Sequence, residues 1–280
     1  TLVRVDQKAP GNHCEFGGVA VQTGVDEDRS GTLEDSEIES TQFVCNGASL
    51  VTCGDGAKID GTVTIGNQAD LAQMSGVACI DGDLIVTGST LTAMPELHDL
   101  RTVTGSVVVA GNDALTSLDD FVGLREIGLS YLIQGNDVLA NIGAISSLEQ
   151  VRGVSIVGNS SLLDLSGLES ITTLNWDLGI IGNSALQSLH GLENLTNAKD
   201  SVFIRSNRSL TTLAALNNLR AVPQLEISGN ASLPTIELPV LQRVDVRLLI
   251  LSNATLTGVN LPTRSTLADG IVFGSNPALV

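Results

Sequence analysis

The chain has 280 residues and carries 31 Asp and Glu against 14 Lys and Arg, a formal net charge of −17. That surface repels phosphate backbones and anionic lipid headgroups, which argues against nucleic acid as a partner. Hydrophobic residues make up 42% of the chain but aromatic ones only 2%, with 29 glycines, so the core has to be built from Leu, Val, Ile and Ala in thin stacked layers.

No run of about 18 apolar residues is present to span a bilayer, and Thr1 begins without a charged segment followed by an apolar one. The sequence therefore reads as a mature or trimmed chain without a membrane span. Four cysteines, Cys14, Cys45, Cys53 and Cys79, are spaced 31, 8 and 26 apart, unlike the short CxxC pairs of a zinc site. Two disulfides in an oxidising compartment are the expectation. Of the three connectivities, Cys14 with Cys45 and Cys53 with Cys79 is preferred. The first pair brackets an acidic motif, and the second clamps the start of the repeats.

That motif, residues 26 to 37, reads DEDRSGTLEDSE. Oxygen-bearing side chains fall at loop positions 1, 3, 5 and 9, with Gly at 6, Leu at 8 and Glu at 12, the pattern of an EF-hand loop. A hard cation gathers six or seven oxygens around one point, so the backbone must coil tightly, and glycine permits the bend. Asp26, Asp28, Ser30 and Glu34 are the candidate side-chain ligands for Ca2+, Thr32 would offer its carbonyl and Glu37 both carboxylate oxygens, while Leu33 points inward. The competing reading is a solvated acidic turn. Before the loop, Gly17-Gly18-Val19-Ala20-Val21 reads as strand rather than an entering helix, which favours a structural calcium site over a switch.

The stretch from Cys14 to Gly47, with its Cys, GG, GxDxDxxGxL, E and VCNG elements, resembles a small module of secreted bacterial proteins often found after collagen-like tracts. The resemblance implies a secreted or cell-surface setting. The expected boundaries are a calcium-loop domain over 1–55 and a repeat domain over 56–280.

From about Lys58 the sequence repeats every 22 to 24 residues, and asparagine marks the period. Asn112, Asn136, Asn159, Asn183, Asn207, Asn230, Asn253 and Asn276 are spaced 24, 23, 24, 24, 23, 23 and 23. Around each Asn, apolar residues stand at −5 and −3, usually Gly or Ser at −1, and apolar residues again at +3 and usually +6, as in Leu225, Ile227, Gly229, Asn230, Leu233 and Ile236. Alternation before Asn marks a short strand with those side chains inward. The expected fold is mainly β: a right-handed β-solenoid of about ten coils. In it the Asn residues form an internal ladder, each amide pairing with turn backbone and with its neighbour. Ser89 occupies the ladder position in one early coil, and Asn67 sits one residue out of register.

The period is that of leucine-rich repeats, but the LxIxGNxxLxxL form is similar to the receptor L domain, the ligand-binding solenoid of insulin-receptor-like ectodomains, and to its bacterial surface-protein relatives. The resemblance implies fold; its matching positions are core positions, so it carries no binding residue across.

Catalytic constellations are not evident. Among outward strand positions only Arg205 and Glu226 carry charge, a pair that reads as a salt bridge. His13, His98 and His190 share no spacing, and no GxSxG, P-loop or HExxH occurs. Of the N-x-Ser/Thr triplets at Asn159, Asn194, Asn207, Asn230 and Asn253, four are ladder positions that follow from the repeat, where the amide should be buried.

If −5 and −3 face the core, −4 and −2 face outward. Those positions include Ile85, Val108, Leu132, Val157, Ile181, Phe203, Leu249, Leu251 and Val272, which is more apolar than a sheet in water needs. The expectation is a non-enzymatic cell-surface interaction or adhesion protein that uses this face for a protein partner or for self-association. The competing reading of the face is coverage by other parts of the same chain. The alternative function is a carbohydrate-binding module taking a surface glycan, and the remaining rival is a polysaccharide-degrading β-helix enzyme.

Overall fold

The computed structural model describes residues 2–8, 18–24, 28, 30, 33–45, 52–54, 56–88, 90–143, 145, 147–263, 266–267 and 270–279. Three strands open the chain: β1 (Leu2–Lys8), β2 (Gly18–Gly24) and β3 (Ile38–Cys45), paired antiparallel in the order β1-β2-β3. The Gly18–Gly24 segment is thus a strand, as its Val-rich alternation predicts. Between β2 and β3 lies the acidic loop, closed by one 3₁₀ turn over Asp35–Glu37.

The rest of the chain is a parallel β-solenoid. Its main row of strands comprises Val63–Ile65, Leu84–Thr87, Val107–Ala110, Ser130–Gln134, Gly153–Val157, Leu178–Ile181, Ser201–Arg205, Ala221–Ser228, Arg243–Leu251 and Ile271–Gly274. Each pairs in parallel with the next, so these strands enclose about nine turns. The residues at −5 and −3 fill one continuous core: Leu178, Ile180, Val202, Ile204, Leu225 and Ile227 are all 0% exposed. So are Leu186, Leu189, Leu210 and Leu233 from the opposite walls. A single coil cannot bury its leucines alone; stacking does so, which is why stability is shared between neighbours.

The asparagine ladder is present and directional. Asn112, Asn136, Asn159, Asn183, Asn207, Asn230 and Asn253 are 0% exposed. Each donates its backbone N–H and its Nδ2 to Oδ1 of the next Asn, and a further Nδ2 bond reaches back to a strand carbonyl of the preceding coil, as from Asn207 to Ile180 O at 2.8 Å. Asn67, out of register, instead caps the short helix Gln68–Ala72 by accepting from Ala69 N and Asp70 N. Ser89 lies outside the described residues.

The chain enters each ladder turn in the left-handed region. Gly182 and Gly229 precede their Asn at φ 68° and 67°, and Ser206, Ser252 and Ser275 adopt φ 57°, 57° and 54° at the same place. Glycine takes that conformation without Cβ crowding, and serine takes it at some cost.

Cys53 and Cys79 form a disulfide with Cα atoms 5.7 Å apart, fastening the segment before Lys58–Asp60 to strand Cys79–Asp81 beside it. Closing a loop of this length in the unfolded chain is worth about 3 kcal/mol. The expected Cys14–Cys45 pair involves Cys14, which lies outside the described residues. No described helix is long and apolar enough to cross a membrane.

Candidate functional site

Two features of the described chain carry the candidate functional residues: the acidic loop and the outward face of the main sheet. In the loop, ligand oxygens of Asp28, Glu34 and Glu37 all lie within 4.8 Å of one another. Glu37 is held with both oxygens engaged, Oε1 accepting from Asp28 N at 3.4 Å and Oε2 from Glu34 N at 3.1 Å. Ser30 donates its hydroxyl to Glu34 Oε1 at 3.2 Å and its N–H to Asp28 Oδ1 at 2.9 Å. Leu33 is 5% exposed and Glu37 9%, whereas Asp28, Ser30 and Glu34 face solvent. Asp26 and Thr32 lie outside the described residues.

Three carboxylates converging around a hydroxyl make a hard, all-oxygen donor set of the kind Ca2+ takes. Their mutual repulsion is also what a divalent cation would relieve. Behind the loop, Arg4 on β1 donates to Leu33 O at 2.8 Å and to Asp35 Oδ1 at 2.7 Å, tying the sheet to the 3₁₀ turn. The hydrogen bond that Arg4 donates to Asp35 holds its guanidinium pKa above its ordinary value. Position-specific oxygens were legible in the sequence; the Arg4 brace was not, because it comes from a strand 29 residues before Leu33.

Residues 1–45 match a domain of unknown function, DUF7151. The match ends at Cys45, the last residue of β3, and so spans the three-stranded sheet and its loop. No curated protein matches the chain, and no solved structure does.

This amino-terminal sheet corrects part of the expected contact face. Ile85, Val108 and Leu132 do not face water: they are 3%, 0% and 0% exposed and form one buried cluster with Ala110 and with Val21 of β2, against which Val5 of β1 also packs. The face is apolar there because the chain's own first strands cover it. Sequence alternation identifies an outward side chain but not what lies on top of it.

Farther along, the face changes character. Val157, Ile181, Phe203, Leu249 and Leu251 are half-buried and Val272 is 46% exposed. Between them, Arg205 Nη2 lies 2.5 Å from Glu226 Oε2, Ser228 donates to Glu226 Oε1 at 2.8 Å, and the Arg205 guanidinium stacks over Phe203 at 4.1 Å. A polar patch thus separates a covered apolar area over the early coils from an uncovered one over the last. His98 and His190 are exposed, in separate coils, and His13 lies outside the described residues.

Proposed function

We propose that this chain is a non-enzymatic interaction module of a secreted or cell-surface protein, related to receptor L-domain-like solenoids, which binds a protein partner or a second copy of itself through the uncovered outer face of its last coils. The observation that carries the reading is the apolar set Leu249, Leu251 and Val272, at outward positions beyond the area that Val5 and Val21 cover. Outward-facing sheet positions in water favour Ser, Thr and charge, and a contiguous apolar area marks a contact site.

Calcium held by Asp26, Asp28, Ser30, Thr32, Glu34 and Glu37 would set the amino-terminal unit as a rigid cover over the early coils. The Cys53–Cys79 disulfide supports an oxidising, extracellular location. A binding rather than catalytic role is supported by the outward charges, since Arg205 and Glu226 occupy each other.

Sedimentation equilibrium of the wild-type chain and of Leu249→Glu with Leu251→Glu tests the reading. The expected result is self-association, or capture of a partner, that the substitutions abolish while the far-ultraviolet spectrum and melting temperature stay unchanged. A chain that remains monomeric at about millimolar concentration, and whose binding to cell surfaces survives the substitutions, overturns it.

A further inference from the structure

Coils of this solenoid are joined along one corner by a series of backbone hydrogen bonds. Arg101 N donates to Ala78 O at 2.8 Å, Arg125 N to Arg101 O at 2.9 Å and Glu149 N to Arg125 O at 2.6 Å; later in the stack, Thr196 N donates to Thr172 O, Arg220 N to Thr196 O and Gln242 N to Arg220 O at 2.8, 2.8 and 2.7 Å. One rung of the series is missing. Among the described residues no hydrogen bond joins Thr172 N to Glu149 O, and the parallel pairing beside it joins Glu126 to Gln150, stops, and resumes where Thr173–Leu174 pairs with Asn197–Ala198.

The missing rung coincides with a cavity of about 250 Å³ between the two coils. Trp176 takes the neighbouring rung, donating N–H to Arg152 O at 2.7 Å, and its Cβ lies 3.2 Å from where a side chain on Gly153 would begin. Leu148 and Ile171, 1% and 4% exposed, form an apolar floor. Gln150, Thr172, Thr173 and Asn175 present polar, exposed side chains at the rim.

We infer that this cleft is a binding site for a single pyranose-sized sugar residue. Among the described residues the Thr172 N–H and the Glu149 carbonyl that would form the missing rung have no backbone partner, and the carboxamides of Gln150 and Asn175 and the hydroxyls of Thr172 and Thr173 line the same cleft. That mixture of donors and acceptors suits a ring carrying several hydroxyl groups, and the apolar floor suits the C–H face of the same ring. The cavity is smaller than the roughly 300–1,000 Å³ of sites for drug-sized molecules. It is also a dead end: the main-row strands Gly153–Val157 and Leu178–Ile181 remain paired in register on one side. That pairing leaves no path for a peptide strand to thread between the coils and favours a single ring at the end of a glycan as the occupant. The site is separate from the sheet face of the proposed function and does not depend on it.

The chain's one tryptophan reports on this cleft, because Arg152 in the cleft wall lies over the Trp176 ring at 5.4 Å. The full chain is titrated with free hexoses, N-acetylhexosamines and hexuronates while its emission is followed, with calorimetry on the same samples to register binding that leaves the indole unperturbed. The expected result is saturable binding of at least one of these classes. It should weaken roughly tenfold or more in Gln150→Ala and in Asn175→Ala, and persist in Asn260→Ala, an exposed change in a later coil. No saturable binding by either method overturns the proposal, as does binding that both cleft variants retain.

Discussion

Asn183 donates twice to Oδ1 of Asn207, from its backbone N–H at 3.0 Å and from Nδ2 at 3.3 Å, and accepts at its own Oδ1 from Asn159 N at 3.0 Å. Each ladder residue is therefore a donor to one neighbour and the acceptor for the other. Asn183→Leu leaves the Asn159 N–H without its acceptor and strips the side-chain bond from Ile156 O, in a site of 0% exposure. At about 1 to 3 kcal/mol for a stranded buried group, a loss in that range is expected, read as a lower midpoint in urea unfolding. A loss no larger than that of Asn175→Ala at the exposed rim would show the ladder to be dispensable.

Tyr131 stands at an inward strand position where other coils place Val or Leu, and its hydroxyl is buried with no hydrogen-bond partner. Complete burial pushes its pKa well above the ordinary value of 10.0, so the phenol stays neutral. Tyr131→Phe removes a desolvated hydroxyl at nearly constant volume, and a gain of about 1 kcal/mol is expected in the same unfolding measurement. A destabilised Phe variant would mean that the hydroxyl is satisfied in solution.

Asp83 accepts from Ser106 N at 2.7 Å and is 7% exposed. Burial raises its pKa above the ordinary 3.8, outweighing the opposing hydrogen bonds from Ser106 and Thr62. The folded state thus holds this proton more tightly than the unfolded chain does. The stability this group contributes is present below its ordinary pKa and lost as pH rises through the raised folded value. Asp83→Asn keeps an oxygen acceptor for Ser106 and carries no charge. Its unfolding free energy should therefore fall less than the wild type's as pH rises through the carboxylate range, measured by denaturant titration at several pH values.

Calcium is expected to raise the melting temperature of the amino-terminal unit by mass action on the folded state. Glu37 holds both oxygens inward through Asp28 N and Glu34 N, so Glu37→Gln removes the bidentate ligand and should abolish the shift. Scanning calorimetry with calcium and with chelator, together with elemental analysis, checks this. Equal melting in the two conditions with no bound metal refutes it.

Much of the architecture was legible from the chain alone, because a solenoid writes its period into the sequence. The interval between Asn183 and Asn207, the apolar pair Leu178 and Ile180, and the Gly or Ser before each Asn all record local requirements: a buried amide, an inward alternation, a left-handed turn. Each acts within one coil or between adjacent coils, so it recurs at fixed spacing. What only the tertiary structure decided lies between segments far apart in the chain. Val21 covers Leu132 although nothing near either residue announces the other. Arg4 braces the loop from another strand, and the rung between Thr172 and Glu149 fails although each coil, read singly, looks regular. A periodic pattern specifies which way a side chain points, since that follows from backbone geometry. What that side chain meets depends on how distant parts of the chain dock, and docking leaves no period to read.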